Sequence, residues 1–235
     1  MQKYIMQGIE KFYLEFGKNL KWLDCYISIE TAMKRDNFKF DKYEAYLTFE
    51  RELQKYLDSK IEYGLFIGRC MPFHKGHNSI LQEIIRSGKK PVVLLGGTDK
   101  SDERHPLSFE ERKRIIKFLY PTVKVLGIED KDDWTEWYRN LIDVVNIPKE
   151  QITLFEHTKE QDKRDFVFNG QQYTNESYTK IFKDEGFRIQ EVQEVQCSKG
   201  EVIHASDIRN NEETAKRNLD ARVYIHLKNL KGWWK

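Results

Sequence analysis

From Tyr63 onward the chain alternates between two spacings of apolar residues. Short apolar or alternating runs stand at YGLFIG (63–68), PVVLLGG (91–97), TVKVLGI (122–128), QITLF (151–155) and FRIQEVQEV (187–195). Runs of this length, bounded by glycine or polar residues, read as strands buried in a parallel sheet. Between them the apolar residues recur at helical spacing: Ile80, Leu81, Ile84 and Ile85, then Ile115, Ile116 and Leu119, then Trp134, Trp137, Leu141, Ile142 and Val145. Ser108 and Glu111 form a capping box at the start of the second of these helices, and Gly88 ends the first. A further helix is predicted over about 176–185, ending at Gly186, and the tail from Ser206 reads as helical. Strand and helix in alternation predict a doubly wound α/β fold with a parallel five-stranded sheet. In such sheets ligands sit beyond the carboxyl ends of the strands, near the switch in strand order.

Before residue 60 the pattern differs. The chain is aromatic and charged there, with few β-branched runs. Tyr46, Leu47, Glu50, Leu53, Gln54 and Leu57 trace one face of a predicted helix, expected to pack on the main domain or on another subunit. The expected organisation is a helical extension over 1–60 and a main domain over 61–235.

Composition narrows the class. A hydrophobic share of 39% and a charged share of 33% describe an ordinary soluble chain, and a net charge of +2 gives little support to a dedicated nucleic-acid binder. Any positive field is local and phosphate-sized. The cysteines, Cys25, Cys70 and Cys197, are far apart and odd in number, so neither a disulfide framework nor a zinc site is indicated. Reduced thiols in a cytoplasmic protein are expected. The N-terminal residues do not read as a signal peptide, and no apolar run is long enough to span a bilayer.

The candidate chemistry lies in GRCMPFHKGH, residues 68–77. Strand, loop and helix in succession place His74 and His77 at a helix N-terminus, where backbone N–H groups and the helix dipole suit a phosphate. Gly76 allows close approach of a ligand, Pro72 stiffens the loop, and the imidazoles add donors. His-x-x-His at this spacing is also compatible with a metal pair or with surface histidines.

This string resembles the H-x-G-H signature of the nucleotidyltransferase α/β-phosphodiesterase superfamily, and more closely the G-R-x-x-P-F-H-x-G-H opening of the archaeal-type nicotinamide mononucleotide (NMN) adenylyltransferases, a branch that includes Nudix-fused forms. Three further segments follow in the same order. RHPLSFEERKRII (104–116) is similar to N-P-F-T-x-x-E-R, IHASDIRN (203–210) to I-S-x-T-x-I-R, and LFEHTKE (154–160) with ESYTKIF (176–182) to G-H-x-K-D and S-Y-Y-x-x-x-F. The departures are His204 and Glu156, which replace Ser and Gly, and an apparent insertion over 161–175. QCSKG (196–200) superficially resembles the lysine loop of class I aminoacyl-tRNA synthetases, but the chain is too short for such an enzyme.

The resemblance implies a Rossmann-like nucleotidyltransferase that transfers AMP from ATP to NMN, giving NAD and pyrophosphate by direct in-line attack. It implies Mg2+ carried with the ATP phosphates and no metal site of the protein's own. It implies His74, His77 and Arg209 as catalytic contacts. Gly68, Arg69, Phe73, Gly76, Arg112 and Ser206 join them around ATP, with Ser206 opening a helix toward the triphosphate. Trp134, Trp137, Asp99, His157 and Lys159 are implied around the acceptor. For several of these a plainer role stands beside the implied one: a solvated face for Arg112, a helix cap for Ser206, core packing for Trp137, a polar loop for His157 and Lys159. The expected partners are ATP and NMN or nicotinate mononucleotide, with no nucleic acid, no membrane, and a homo-oligomeric assembly. The competing functions are another adenylyl- or cytidylyltransferase of this fold, acting on phosphopantetheine, FMN or glycerol phosphate, and a nucleotide-sensing regulator with an N-terminal binding module.

Overall fold

The structure is a computed structural model that describes residues 1–16, 21–157, 163–196 and 202–230. It divides into two compact units, Met1–Ile61 and Glu62–Lys235.

The first unit holds three helices, α1 (Gln2–Phe16), α2 (Trp22–Arg35) and α3 (Lys42–Ser59). Ile5 and Ile9 of α1 pack with Cys25, Ile29 and Met33 of α2 and with Phe49 and Leu53 of α3. Helices α1 and α2 approach closely at Gly8, where a Cβ would stand 2.3 Å from Cγ1 of Ile29. Asp41 caps α3 by accepting from the Glu44 N–H at 2.9 Å. The face of α3 that turns inward is not the expected one. Ala45, Thr48, Phe49, Glu52 and Leu53 are buried, whereas Tyr46 and Leu47 are exposed. The residues of α3 carry two overlapping stripes, and the inner one includes alanine and glutamate, which hides it from a count of large apolar residues.

The second unit carries a parallel sheet of five strands in the order β3-β2-β1-β4-β7. These are β1 (Tyr63–Gly68), β2 (Lys90–Leu95), β3 (Lys124–Gly127), β4 (Ile152–His157) and β7 (Arg188–Val192). Alternate residues feed two cores. Phe66, Val93, Leu95, Val125 and Phe155 face α4 (Lys75–Arg86), α5 (Phe109–Leu119) and the C-terminal helices α8 (Ala205–Asn210), α9 (Glu212–Asn218) and α10 (Ala221–Lys228). Leu65, Val92, Leu94, Ile152 and Leu154 face α6 (Trp134–Val145) and α7 (Thr179–Asp184). Both sides of the sheet are covered, as the apolar runs predict. Gly64 lets α4 lie flat on β1; a Cβ there would meet Ile84 Cγ2 at 2.4 Å.

Helix α7 is shorter than the predicted helix over 176–185, because Gln171–Glu176 is strand β6. It pairs antiparallel with β5 (Arg164–Phe168), forming a hairpin within the apparent insertion. The turn is Asn169–Gly170, both with positive φ, the geometry that an Asn-Gly hairpin favours. Phe166, Phe168 and Tyr173 point inward onto Ile181, Trp134 and Tyr138. The order of strands reverses between β1 and β4, so the switch point of the sheet lies between their carboxyl ends.

Candidate functional site

Two loops and one strand end meet at that switch point. After Gly68 the chain turns through Cys70, which takes a left-handed φ of 49°, and a cis Met71–Pro72 peptide into α4. His74 is the N-cap of α4. Its Nδ1 accepts from the Gly76 N–H at 3.1 Å, and Nδ1 of His77 accepts from the His74 N–H at 3.3 Å. This is a reciprocal cap built from two imidazoles in place of the usual hydroxyl and carboxylate. Because each Nδ1 accepts, each ring carries its proton on Nε2. The rings stack at 3.7 Å between centroids, and His74 is only 7% exposed. Gly76 leaves room for the His74 ring, since a Cβ there would stand 3.0 Å from His74 Cε1.

His157 closes the group from the end of β4. Its Nε2 lies 3.1 Å from Ser79 Oγ, and Ser79 Oγ donates to the Gly76 carbonyl at 2.8 Å. The hydroxyl has one proton, so His157 is the donor to it. His157 therefore braces the first turn of α4 beside His74 and His77. Lys159 lies outside the described residues, as do Cys197 and residues 198–200 of the QCSKG segment. Glu156, where the family pattern has glycine, accepts from the Thr179 hydroxyl.

Arg112 takes a place other than a solvated face or a phosphate fork. It is 1% exposed, and its guanidinium donates to the carbonyls of Arg69 and Gly96 at 2.8 Å each, of Gly97 at 3.0 Å and of Ser108 at 3.4 Å. It ties the end of β1 to the end of β2 from beneath. The predicted capping box that launches α5 is present: Ser108 N–H donates to Glu111 Oε2 at 2.8 Å. Phe73 is buried in the core, against His77 and Tyr120.

Arg69 stands above this tie. Its Nη2 donates to Asp130 Oδ2 at 2.7 Å, and its Nη1 lies 3.3 Å from His105 Nε2. Lys100 reaches the same Asp130 oxygen at 3.4 Å, and Asp99 Oδ1 accepts from the Asp130 N–H at 3.4 Å. Asp130 and His105 were not legible as site residues from spacing; the available signal is that both follow strands at their carboxyl ends. From the C-terminal side, Arg209 Nη1 donates to the Met71 carbonyl at 2.6 Å, and desolvation holds its pKa below the usual value. Ser206 does not open α8. His204 occupies the N-cap without a side-chain cap bond, and Ser206 sits exposed inside the first turn.

The two tryptophans separate. Trp137 is 9% exposed and packs into the core with Leu65, Val92 and Leu141. Trp134 is half-buried. Tyr178 lies nearly parallel to it, at 7° and 6.5 Å between centroids, and the Arg164 guanidinium is 5.3 Å from its ring centre. The structure thus brings together Gly68, Arg69, His74, Gly76, His77, His157 and Arg209, and sets Trp137 and Phe73 into packing. Among the described residues no group of three or more His, Cys, Asp or Glu is arranged to hold a metal ion, and no helix is long and apolar enough to cross a membrane.

Known proteins carry the same fold and segments of the same sequence. A bifunctional NMN adenylyltransferase/ADP-ribose pyrophosphatase from Francisella tularensis superposes with a TM-score of 0.55 at 20% identity, over 72% of this chain and 49% of that one. A nicotinamide/nicotinic acid mononucleotide adenylyltransferase from Acinetobacter baylyi is 22% identical over 111 residues, covering 43% of this chain and 59% of its own. A nicotinamide-nucleotide adenylyltransferase from Methanolobus tindarius is 30% identical over 82 residues, covering 33% and 47%. The chain spans about half the length of the curated relatives it matches. The cytidylyltransferase-like family profile matches residues 65–211, more than half of the 235, from within β1 through the end of α8, and the chain belongs to that family.

Proposed function

We propose that the second unit is a nicotinamide-nucleotide adenylyltransferase. The observation that carries the reading is the imidazole cap, with His74, His77 and His157 gathered on the first turn of α4 at the switch point of the sheet. The names of the matched relatives supply the acceptor class, a nicotinamide mononucleotide.

In this reading an acceptor phosphate oxygen attacks the α-phosphorus of ATP. The bond from that phosphorus to the bridging oxygen breaks, pyrophosphate leaves with the electron pair, and no enzyme nucleophile is needed. Catalysis is then positioning plus charge stabilisation. The Nε2–H groups of His74 and His77 donate to the phosphates at the positive end of the α4 dipole, with His77 as the contact that strengthens in the transition state. Arg69 and Arg209 flank them, and Arg112 acts from below by fixing the two strand ends. Trp134, half-buried where Trp137 is not, is the ring that meets the pyridine.

One solved neighbour holds AMP and a manganese ion. Here Asp130 is engaged by Arg69 and Lys100, and Asp99 by a backbone N–H, so the donor set fits an ion that enters with ATP, held by phosphates and water. When bound, Mg2+ neutralises charge on the departing pyrophosphate. The same reading places the enzyme in the cytoplasm, as a homo-oligomer.

The test is chromatography of purified protein incubated with ATP, Mg2+ and either NMN or nicotinate mononucleotide, beside His77→Ala. Dinucleotide from the wild type and a loss of at least about a hundredfold in the variant are expected. No dinucleotide from either acceptor would refute the acceptor class and direct the assay to phosphopantetheine, FMN and glycerol phosphate.

A further inference from the structure

His105 is a buried histidine that the proposed chemistry leaves unused. It follows β2 on a loop, is 8% exposed, and has a defined partner on each ring nitrogen. Nδ1 lies 2.8 Å from Asp102 Oδ1, and the same oxygen accepts the backbone N–H groups of Arg104 at 2.8 Å and His105 at 2.9 Å. Nε2 lies 3.3 Å from Arg69 Nη1. An arginine can only donate, so Nε2 must be the acceptor. A carboxylate can only accept, so Nδ1 must carry the proton. Both contacts are satisfied together by one state of the ring: neutral, with hydrogen on Nδ1.

The consequence falls on Arg69. Its side chain is 54% exposed, yet two of its five N–H groups are fixed, one by His105 and one by Asp130. Asp130 belongs to the loop after β3 and His105 to the loop after β2, so the guanidinium is held from two elements. The remaining three N–H groups have no partner among the described residues.

We propose that His105, locked in one tautomer by Asp102, is a positioning residue for Arg69, presetting its guanidinium to receive a nucleotide phosphate. This rests on the reading of the site as an ATP site. It adds a residue that the alternation of strands and helices did not single out. Protonation of His105 would place a hydrogen on Nε2 facing Arg69, removing the acceptor and adding a like charge. The charged groups around it are Asp102 on its own loop, Arg69 on the first, Asp130 and Lys100 beyond Arg69, and Arg112 beneath.

Isothermal titration of Mg–ATP in the absence of acceptor tests this with the full chain. The variants are His105→Ala, His105→Gln, Arg69→Ala and the double change His105→Ala with Arg69→Ala. His105→Ala is expected to weaken ATP about tenfold, the size of one lost hydrogen bond to a charged group. His105→Gln, whose amide oxygen can accept from Arg69 and does not titrate, is expected to recover affinity to within about twofold. In the Arg69→Ala background, His105→Ala should change nothing, because independent sites add and these two act as one. Equal weakening in both backgrounds, with a matching fall in melting temperature, would mean His105 only holds its loop, and the proposal would be wrong. Wild type that binds no Mg–ATP would overturn the function reading and this inference together. Wild type that binds ATP but makes no dinucleotide would leave the acceptor reading refuted while the cycle still decides the role of His105.

Discussion

Replacing Arg112 with methionine keeps much of the side-chain volume and removes every donor. The carbonyls of Arg69, Gly96 and Gly97 each lose a charged donor at 2.8 to 3.0 Å. The Ser108 carbonyl is spared, because it keeps the helical bond from the Arg112 N–H at 3.1 Å. A buried acceptor stripped of its partner costs about 1–3 kcal/mol. Against this, the methionine relieves the desolvation of the guanidinium, the same effect that lowers the Arg112 pKa. The net loss is expected at about 3–5 kcal/mol, the range for breaking one side of a buried charged network. For a unit of this size each kcal/mol moves the melting temperature by about 2–4 °C, so calorimetry should show a fall of about 10 °C. Arg112→Lys should recover less than half of it, since one ammonium cannot span three carbonyls that a planar fork reaches. A melting temperature for Arg112→Met within about 2 °C of wild type would show that the carbonyls find other partners and that the tie between strands is not structural.

Gly64→Ala forces a Cβ to 2.4 Å from Ile84 Cγ2 and should destabilise the second unit by about 1–3 kcal/mol in urea unfolding, with Ile84→Val partly rescuing it. Glu62 accepts from Lys89 and Arg188, and these contacts hold its carboxyl down to about 2. Its folded pKa is lowered, so its contribution is present above the ordinary value of 4.5 and is lost as pH falls toward about 2. The side chain is 47% exposed, so Glu62→Gln should cost under about 1 kcal/mol at neutral pH and nothing at the acid end.

The central layers of the fold were legible because apolar runs and helical stripes agree there with the final burial. The cap at Ser108 and Glu111 was legible for the same reason, being a local hydrogen-bond pattern within four residues. What escaped was set by longer contacts. The burial of Arg112 depends on carbonyls that come from 15 to 43 positions away, and nothing in EERKR announces them. Trp134 and Trp137 look equivalent on a helical stripe, and only the hairpin above α6 distinguishes the half-buried ring from the core one. The hairpin itself left a signal in the Asn169–Gly170 pair between alternating aromatic residues. The inner face of α3 left almost none, because alanine and glutamate do not register as core.

The loop at the head of α4 is held shut by residues made much later. Met71 is bonded by Arg209, 138 positions on, and Lys75 reaches the Arg217 carbonyl, 142 positions on. At a translation rate of about 5–20 residues per second, the histidine cap waits on the order of ten seconds for its second wall. During that interval β1, β2 and β3 can pair while the loop at the head of α4 still lacks these contacts. The bonds of that loop to Arg209 and Arg217 can therefore form only after the pairing of β1 with β2 has become possible.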